Sequence, residues 1–205
     1  MVLPVRDAQL IQIGDSRLLQ TMGTALFDAA QRAGEWLACK PGCTQCCHGA
    51  FAINALDAAR LQIGMQALHA ADPRAAEAIE TRARAWIAEY SPDFPGDLTT
   101  GILGQTEEDQ TRFDDFANDA PCPALNPATG LCDIYGWRPM TCRVFGPPTR
   151  PAQDDPLACC ELCFIGATDA EIAACEMPVP HALEAELLAV MGDSRETVVA
   201  YALLP

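Results

Sequence analysis

The sequence contains few basic residues. Lys and Arg together number 13 in a chain of 205 residues, against 28 Asp and Glu, which gives a formal net charge of −15. Lys40 is its one lysine. A surface of this charge repels phosphate backbones, so we expect no nucleic-acid partner bound through a basic patch.

Long apolar runs are also missing. No run approaches the roughly 20 residues that a membrane-spanning helix needs, so we expect no membrane partner. The first residues, MVLPVRDAQLIQIGDSRLL, have Arg6 and Asp7 where an export signal would be uninterruptedly apolar. We therefore expect a cytoplasmic protein. Thiols stay reduced in that compartment, so the 11 cysteines favour metal binding over a disulfide framework.

Apolar periodicity predicts a mainly α-helical protein. The pair Asp72-Pro73 predicts a break between two helices, and Thr106 with Asp109 predicts a capping box at the start of a short acidic helix. We predict a single metal-binding domain over residues 1–205, in which helices pack around irregular cysteine-rich loops organised by a bound metal centre. Its core covers about 39–164, and its flanking helices are expected at 16–36 and 168–204.

Four cysteines lie within nine positions of the stretch CKPGCTQCCHGA. Pro41 and Gly42 disfavour a helix over its first half, so we expect a loop that turns into a helix near Thr44. Such a loop directs several thiolates toward one point. The side chains of the two adjacent cysteines, Cys46 and Cys47, cannot easily point in the same direction. The four are Cys39, Cys43, Cys46 and Cys47.

Six further cysteines follow residue 120, in a segment rich in proline and glycine. A segment this irregular cannot order itself by periodic apolar packing, and a bound metal would supply the order. We interpret Cys175, which stands in a helical pattern, as a buried apolar residue, and His48 as a neighbour of the site or a surface residue. The six are Cys122, Cys132, Cys142, Cys159, Cys160 and Cys163.

The joint pattern CKPGCTQCC, CPAL, GLCDIYGWRPMTCRVFG and CCELCF resembles the YkgJ-type cysteine-cluster family, known for a zinc- or iron-chelating domain with a CxxCxxCC motif. The resemblance implies metal binding through cysteine. The cysteines that match the family pattern are Cys39, Cys43, Cys46, Cys47, Cys122, Cys132, Cys142 and Cys160.

Eight thiolates would fill two tetrahedral zinc sites, two iron–sulfur clusters, or one cluster with four thiols to spare. Their negative charge calls for nearby cations. Arg138 and Arg143 flank Cys142 and are expected to donate to the sulfurs. Adjacent Cys46 and Cys47 are awkward for two independent tetrahedra, so an iron–sulfur cluster or iron is slightly favoured over zinc.

Two alternatives remain open. The spacing Cys39-x3-Cys43-x2-Cys46 is that of a radical S-adenosylmethionine loop, and a flagellin lysine methylase is similar to the cysteine-cluster family, so redox or methyl-transfer chemistry is one of them. Against it, the chain lacks the alternating strands and helices of a partial barrel. The other is a structural, chaperone or sensor module without catalysis, for which Cys159, Cys163 and His48 would be spare ligands. The sequence indicates neither a protein partner nor a substrate.

Overall fold

Three helices, a long first one and a pair in the middle of the chain, contain most of the helical residues. The structure, a computed structural model, describes residues 5–150 and 155–205. It is mainly helical, as the sequence predicts, and it also contains one small sheet that the sequence analysis does not predict. The chain divides into two units, and each unit is made of two separate segments of the chain. Unit 1 comprises Met1–Lys40 and Arg143–Asp193, and unit 2 comprises Pro41–Cys142 and Ser194–Pro205.

Helix α1 of unit 1 spans Val5–Ala33 and is longer than the predicted helix over 16–36. It ends in a short 3-10 turn over Gly34–Trp36, where Gly34 has a φ of +51°. A positive φ suits glycine, which explains why the α-helix stops there. Leu18 and Met22 of α1 are buried in the core of this unit.

The segment 168–204, where flanking helices are expected, contains helices and also one strand. Helix α6 spans Asp169–Ala174 and helix α7 spans His181–Met191, after which Gly192 adopts a φ of +64° and ends the helix. Residues Glu196–Val198 then form strand β4 of unit 2, and a short helix α8 follows at Val199–Ala202. β-Branched residues favour such a strand once a sheet is present to receive it.

Unit 2 is built on helices α2 (Ala55–Ala71) and α3 (Pro73–Tyr90), which confirms the break predicted at Asp72-Pro73. Each helix begins with a side-chain cap. Asn54 Oδ1 accepts the Asp57 N–H at 3.0 Å, and Asp72 Oδ1 accepts the Ala75 N–H at 3.1 Å. These caps satisfy backbone donors that the first turn leaves exposed.

The sheet of unit 2 has the strand order β1-β4-β3-β2 and is antiparallel. Strand β1 (Ala52–Asn54) leads directly into α2, while β2 (Gly96–Asp97) and β3 (Ile102–Leu103) lie in the proline- and glycine-containing stretch SPDFPGDLTTGILGQ. The sheet is mostly made by pairing between distant segments, which local periodicity does not reveal. Its register places Ile53 and Ile102 opposite Thr197.

Helix α4 (Glu107–Asp114) confirms the predicted capping box, since the Thr106 hydroxyl accepts the Asp109 N–H at 3.1 Å. The region that follows is irregular, as predicted. Its regular elements are a 3-10 turn, Tyr135–Trp137, and helix α5, Met140–Val144. Residues 151–154 of the predicted loop over 120–163 lie outside the described residues.

Candidate metal centre

The first cysteine segment of unit 2 is a loop that tightens into one 3-10 turn. Gly42 has a φ of +87°, which turns the chain ahead of Cys43. The 3-10 turn spans Gln45–Cys47, and the Cys47 N–H donates to Thr44 O at 2.8 Å. The predicted turn near Thr44 is therefore present, as a 3-10 turn rather than an α-helix.

The backbone of this turn is bonded to the second cysteine segment. The Cys122 N–H donates to Cys47 O at 2.7 Å, and the Gly49 N–H donates to Ala120 O at 2.9 Å. Two cysteines that are distant in sequence thus share one backbone hydrogen bond. His48 is exposed, and its Nδ1 lies 3.0 Å from Thr44 O, which agrees with a surface position.

Cys132 reaches the same region because residues 122–133 fold back on themselves. Leu125 and Cys132 form an isolated antiparallel bridge. The guanidinium of Arg82 in α3 holds both sides of this loop, donating from Nε to Pro123 O and from Nη2 to Asp133 Oδ2, each at 2.7 Å. One helix side chain thereby fixes the relative position of Cys122 and Cys132.

Cys142 is carried by helix α5, whose start is bound to α2. The Met140 N–H points at the buried carboxylate of Asp57, at 3.0 Å from Oδ1 and 3.1 Å from Oδ2. Arg60, one turn further along α2, donates to the same carboxylate. Asp57 and Arg60 are 1% and 3% exposed, so this ion pair is internal. It fixes the first turn of the helix that bears the thiol.

The thiols of unit 2 influence one another electrostatically. A hydrogen bond from Cys47, a backbone N–H and the positive charge of Arg138 lower the pKa of Cys46 to about 6, in spite of its partial burial. The pKa of Cys47 is raised in turn by that hydrogen bond, by burial, and by the charges of Cys46, Cys122 and Cys132. The hydrogen bond between the two adjacent thiols therefore favours ionisation of Cys46 over that of Cys47.

Burial raises the pKa of the other three thiols. It raises that of Cys122 to about 11, with a contribution from Cys132. The pKa of Cys142 is raised by burial and by Cys122, Cys46, Cys132 and Asp57. Burial also raises the pKa of Cys132, to which Cys46 adds. Thiolates here repel one another and need a cation to offset their charge.

Arg138 supplies one positive charge at this place. Its guanidinium lies 3.8 Å from the centroid of the Tyr135 ring, and its charge lowers the pKa of both Cys46 and Cys132. The predicted donation from Arg138 to a sulfur stays a prediction. Arg143 belongs to unit 1, and its donation to a sulfur stays a prediction.

Five of the eight predicted ligands thus lie within electrostatic reach of one another in unit 2, and Cys43 precedes them in the same unit. Cys39 and Cys160 belong to unit 1. Among residues 5–150 and 155–205, no three His, Cys, Asp or Glu side chains already surround an ion position. The five thiols are those of Cys46, Cys47, Cys122, Cys132 and Cys142.

Sequence patterns did not single out Asp57 or Arg82 as part of this region. A signal exists for Asp57, because Asp57 and Arg60 stand three apart in an otherwise apolar stretch, ALDAARL, that reads as a buried helix. Arg82 carries no such signal. Its partners, Pro123 O and Asp133, lie 41 and 51 residues away.

No helix in the described part of the chain combines the length and the hydropathy needed to cross a bilayer. No curated protein and no solved structure matches the chain. A family model does match, over residues 38–164, which is more than half of the sequence. Its description is "CxxCxxCC: Putative zinc- or iron-chelating domain". The matched segment contains every cysteine of the chain except Cys175. The chain therefore belongs to the CxxCxxCC family of zinc- or iron-chelating domains.

Proposed function

We propose that the protein binds iron at unit 2 as a cysteine-ligated iron–sulfur cluster. The observation that carries this proposal is the mutual influence of five thiols that come from three separate segments. One zinc ion and one iron–sulfur cluster each take four thiolates, so the number of thiols does not choose between them. The adjacency of Cys46 and Cys47 favours the cluster, because neighbouring residues are awkward ligands for tetrahedral zinc. The ligands are drawn from Cys46, Cys47, Cys122, Cys132 and Cys142.

The donor chemistry of these residues fits such a group. Thiolates are soft ligands that select zinc, copper(I) and iron–sulfur clusters over hard cations such as magnesium. The pKa of Cys122 and that of Cys142 are raised mainly by burial, so a bound cation would stabilise the thiolates that burial disfavours. The guanidinium of Arg138 offsets part of the remaining negative charge.

A bound iron–sulfur cluster would supply electron transfer, or substrate activation at an iron with an open coordination position. The residues of this chain contribute four things to it: thiolate ligands, the positive charge of Arg138, the loop held by Arg82, and the helix start held by Asp57. Methyl-transfer chemistry would require the open iron position, whereas electron transfer would not.

The test is anaerobic purification followed by a visible spectrum and by iron, sulfide and zinc analysis of the same sample. We expect a brown protein in which iron and sulfide are present in similar amounts. Cys142→Ser should lose this colour, while Cys175→Ser should retain it, because Cys175 lies in unit 1. A colourless wild-type protein loaded with zinc would overturn the iron assignment and leave a thiolate zinc site.

Catalysis at the centre is tested separately. If the cluster has an open iron position that takes S-adenosylmethionine, addition of that compound to the reduced protein should change its electron paramagnetic resonance spectrum. An unchanged spectrum, together with full iron content, would argue against methyl-transfer chemistry. It would leave the iron–sulfur proposal intact.

A further inference from the structure

Three large apolar side chains of unit 1 are exposed around one open groove. Trp36 is 37% exposed, Leu162 is 42% exposed and Ile165 is 74% exposed. The groove that they line has a volume of about 660 Å³ and also includes the charged side chains of Arg32 and Glu35. We propose that this groove, the Trp36 groove, binds a short cationic amphipathic segment of another protein through that segment's apolar side chains.

Ile165 lies at the tip of a tight turn. The Ala167 N–H donates to Phe164 O at 3.0 Å, and Gly166 has a φ of +83°, which suits glycine at the third position of such a turn. Residues at turn tips are usually polar, because the tip faces water. An isoleucine that is mostly exposed there adds little to the core, so folding alone does not explain it.

Leu162 is exposed by the preceding turn. In that turn the Cys163 N–H donates to Cys160 O at 2.8 Å, and Leu162 stands between the two residues. Phe164, which follows, has a φ of +56°, a conformation that a bulky side chain rarely adopts. The backbone is therefore strained at the point where Phe164 is buried and apolar neighbours on both sides are exposed. Strain of this kind is concentrated at ligand-binding positions.

Trp36 lines the groove from the other segment of unit 1. Its carbonyl accepts the Phe164 N–H at 2.8 Å, and the two rings stack with their centroids 6.4 Å apart and their planes inclined by 12°. Because the indole is already held in place, a partner does not have to order it on binding. Tryptophan is among the residues most enriched at binding hot spots, and exposed apolar patches with polar rims mark interaction sites.

The size of the Trp36 groove favours a short segment over a second copy of the chain. Seven residues line it, whereas a stable interface between two proteins takes about 20–30 residues on each side. Its volume lies within the range of about 300–1,000 Å³ that is typical of ligand pockets. An open groove of this volume fits a segment that inserts a few apolar side chains.

Charge decides the character of the segment. The chain has a formal net charge of −15, which repels a second copy or an anionic membrane surface and attracts a cationic partner. At the groove, Arg32 Nη2 donates to Glu176 O at 2.8 Å. The exposed carboxylate of Glu35 forms no ion pair within the described part of the chain, so it can pair with Lys or Arg of the partner.

The test uses the full-length protein, purified anaerobically, and a fluorescein-labelled peptide of about 14 residues that contains only Leu and Lys, with the leucines on one helix face. One control peptide has Ser at every Leu position, and another has Glu at every Lys position. Fluorescence anisotropy measures binding in about 0.15 M salt, which screens long-range attraction. We expect a micromolar dissociation constant for the Leu–Lys peptide and little binding of the two control peptides.

Two variants of the protein change the same residue type at similarly exposed positions of unit 1. Ile165 is 74% exposed in the groove, and Ile13 is 69% exposed on α1. We expect Ile165→Ser to weaken binding of the Leu–Lys peptide about tenfold, and Ile13→Ser to bind it as wild type does. Because both side chains are exposed, both variants should fold, which thermal unfolding checks.

Equal affinity of Ile165→Ser and Ile13→Ser for the Leu–Lys peptide would overturn the proposal. So would equal binding of the Ser peptide, which would indicate attraction by charge alone, or equal binding of the Glu peptide, which would refute the cationic partner. The absence of binding at about 100 μM wild-type protein would overturn it as well. Sedimentation velocity without peptide tests the second copy, since a dimer that Ile165→Ser dissociates would assign the groove to self-association instead.

Discussion

The carboxylate of Asp57 receives the backbone N–H of Met140, although 83 residues separate the two in the chain. The distances are 3.0 Å to Oδ1 and 3.1 Å to Oδ2. Met140 opens the helix that carries Cys142, so a buried acid on α2 fixes one thiol of the proposed centre. Because Arg60 shares the carboxylate, the contact joins an ion pair to a helix start.

We expect Asp57→Asn to lower the free energy of unfolding by about 3 kcal/mol, because it removes the carboxylate from a buried ion pair. Iron content after anaerobic purification should fall as well. Asp72→Asn is the matched control, since Asp72 is exposed and Asn caps a helix as well as Asp. Urea unfolding measures the free energy of unfolding of both variants. Equal stability of the two variants would contradict the role given to Asp57.

Arg82→Ala should destabilise the protein by about 2 kcal/mol, because two hydrogen bonds of a charged group are lost at once. It should also loosen residues 122–133 and lower metal retention during dialysis against a chelator. Arg84→Ala is the control, because Arg84 lies on the same helix. It loses only an exposed ion pair with Glu80, which should lower the free energy of unfolding by about 0.4 kcal/mol. Similar metal retention in both variants would count against the loop as the element that positions Cys122 and Cys132.

Gly64→Ala should cost about 2 kcal/mol, because a Cβ at Gly64 would lie 2.5 Å from Cγ of Trp137 and overpack the core. Because the added methyl group would displace the indole of Trp137, the change should also shift the tryptophan fluorescence of the protein. Gly23→Ala, at an exposed position of α1 with no neighbour within 4 Å, should instead stabilise by about 0.8 kcal/mol. Thermal unfolding of the two variants tests the opposite signs, and a stabilised Gly64→Ala would refute the packing argument.

Removal of metal should loosen the irregular region of unit 2 before its helices. Residues 120–142 are held by turns and few regular hydrogen bonds, whereas α3 has a continuous helical ladder and a buried face. Hydrogen exchange measured by mass spectrometry, with and without chelator, should show faster exchange over 120–142 and little change over α3. Uniform protection in both states would mean that the loops do not need metal.

Local signals in the sequence determined much of the outline of this protein. Asp72-Pro73 and the Thr106–Asp109 capping box act through neighbouring residues, so a single stretch of sequence contains all the information needed to predict them. The cysteine spacing likewise identified the family, because a motif is read without knowledge of the fold. The strand at Glu196–Val198 escaped prediction because its partners are about 95 and 145 residues away.

Tertiary structure alone decided which cysteines share a unit. The stretch CKPGCTQCC looks like one cluster, yet Cys39 packs against Gly146 in unit 1, while Cys47 accepts a backbone hydrogen bond from Cys122 in unit 2. Sequence spacing fixes how far apart two thiols can be, but not on which side of a turn each one lies. That choice depends on long-range hydrogen bonds such as those of Arg82 and Asp57, which form only when distant segments are folded together.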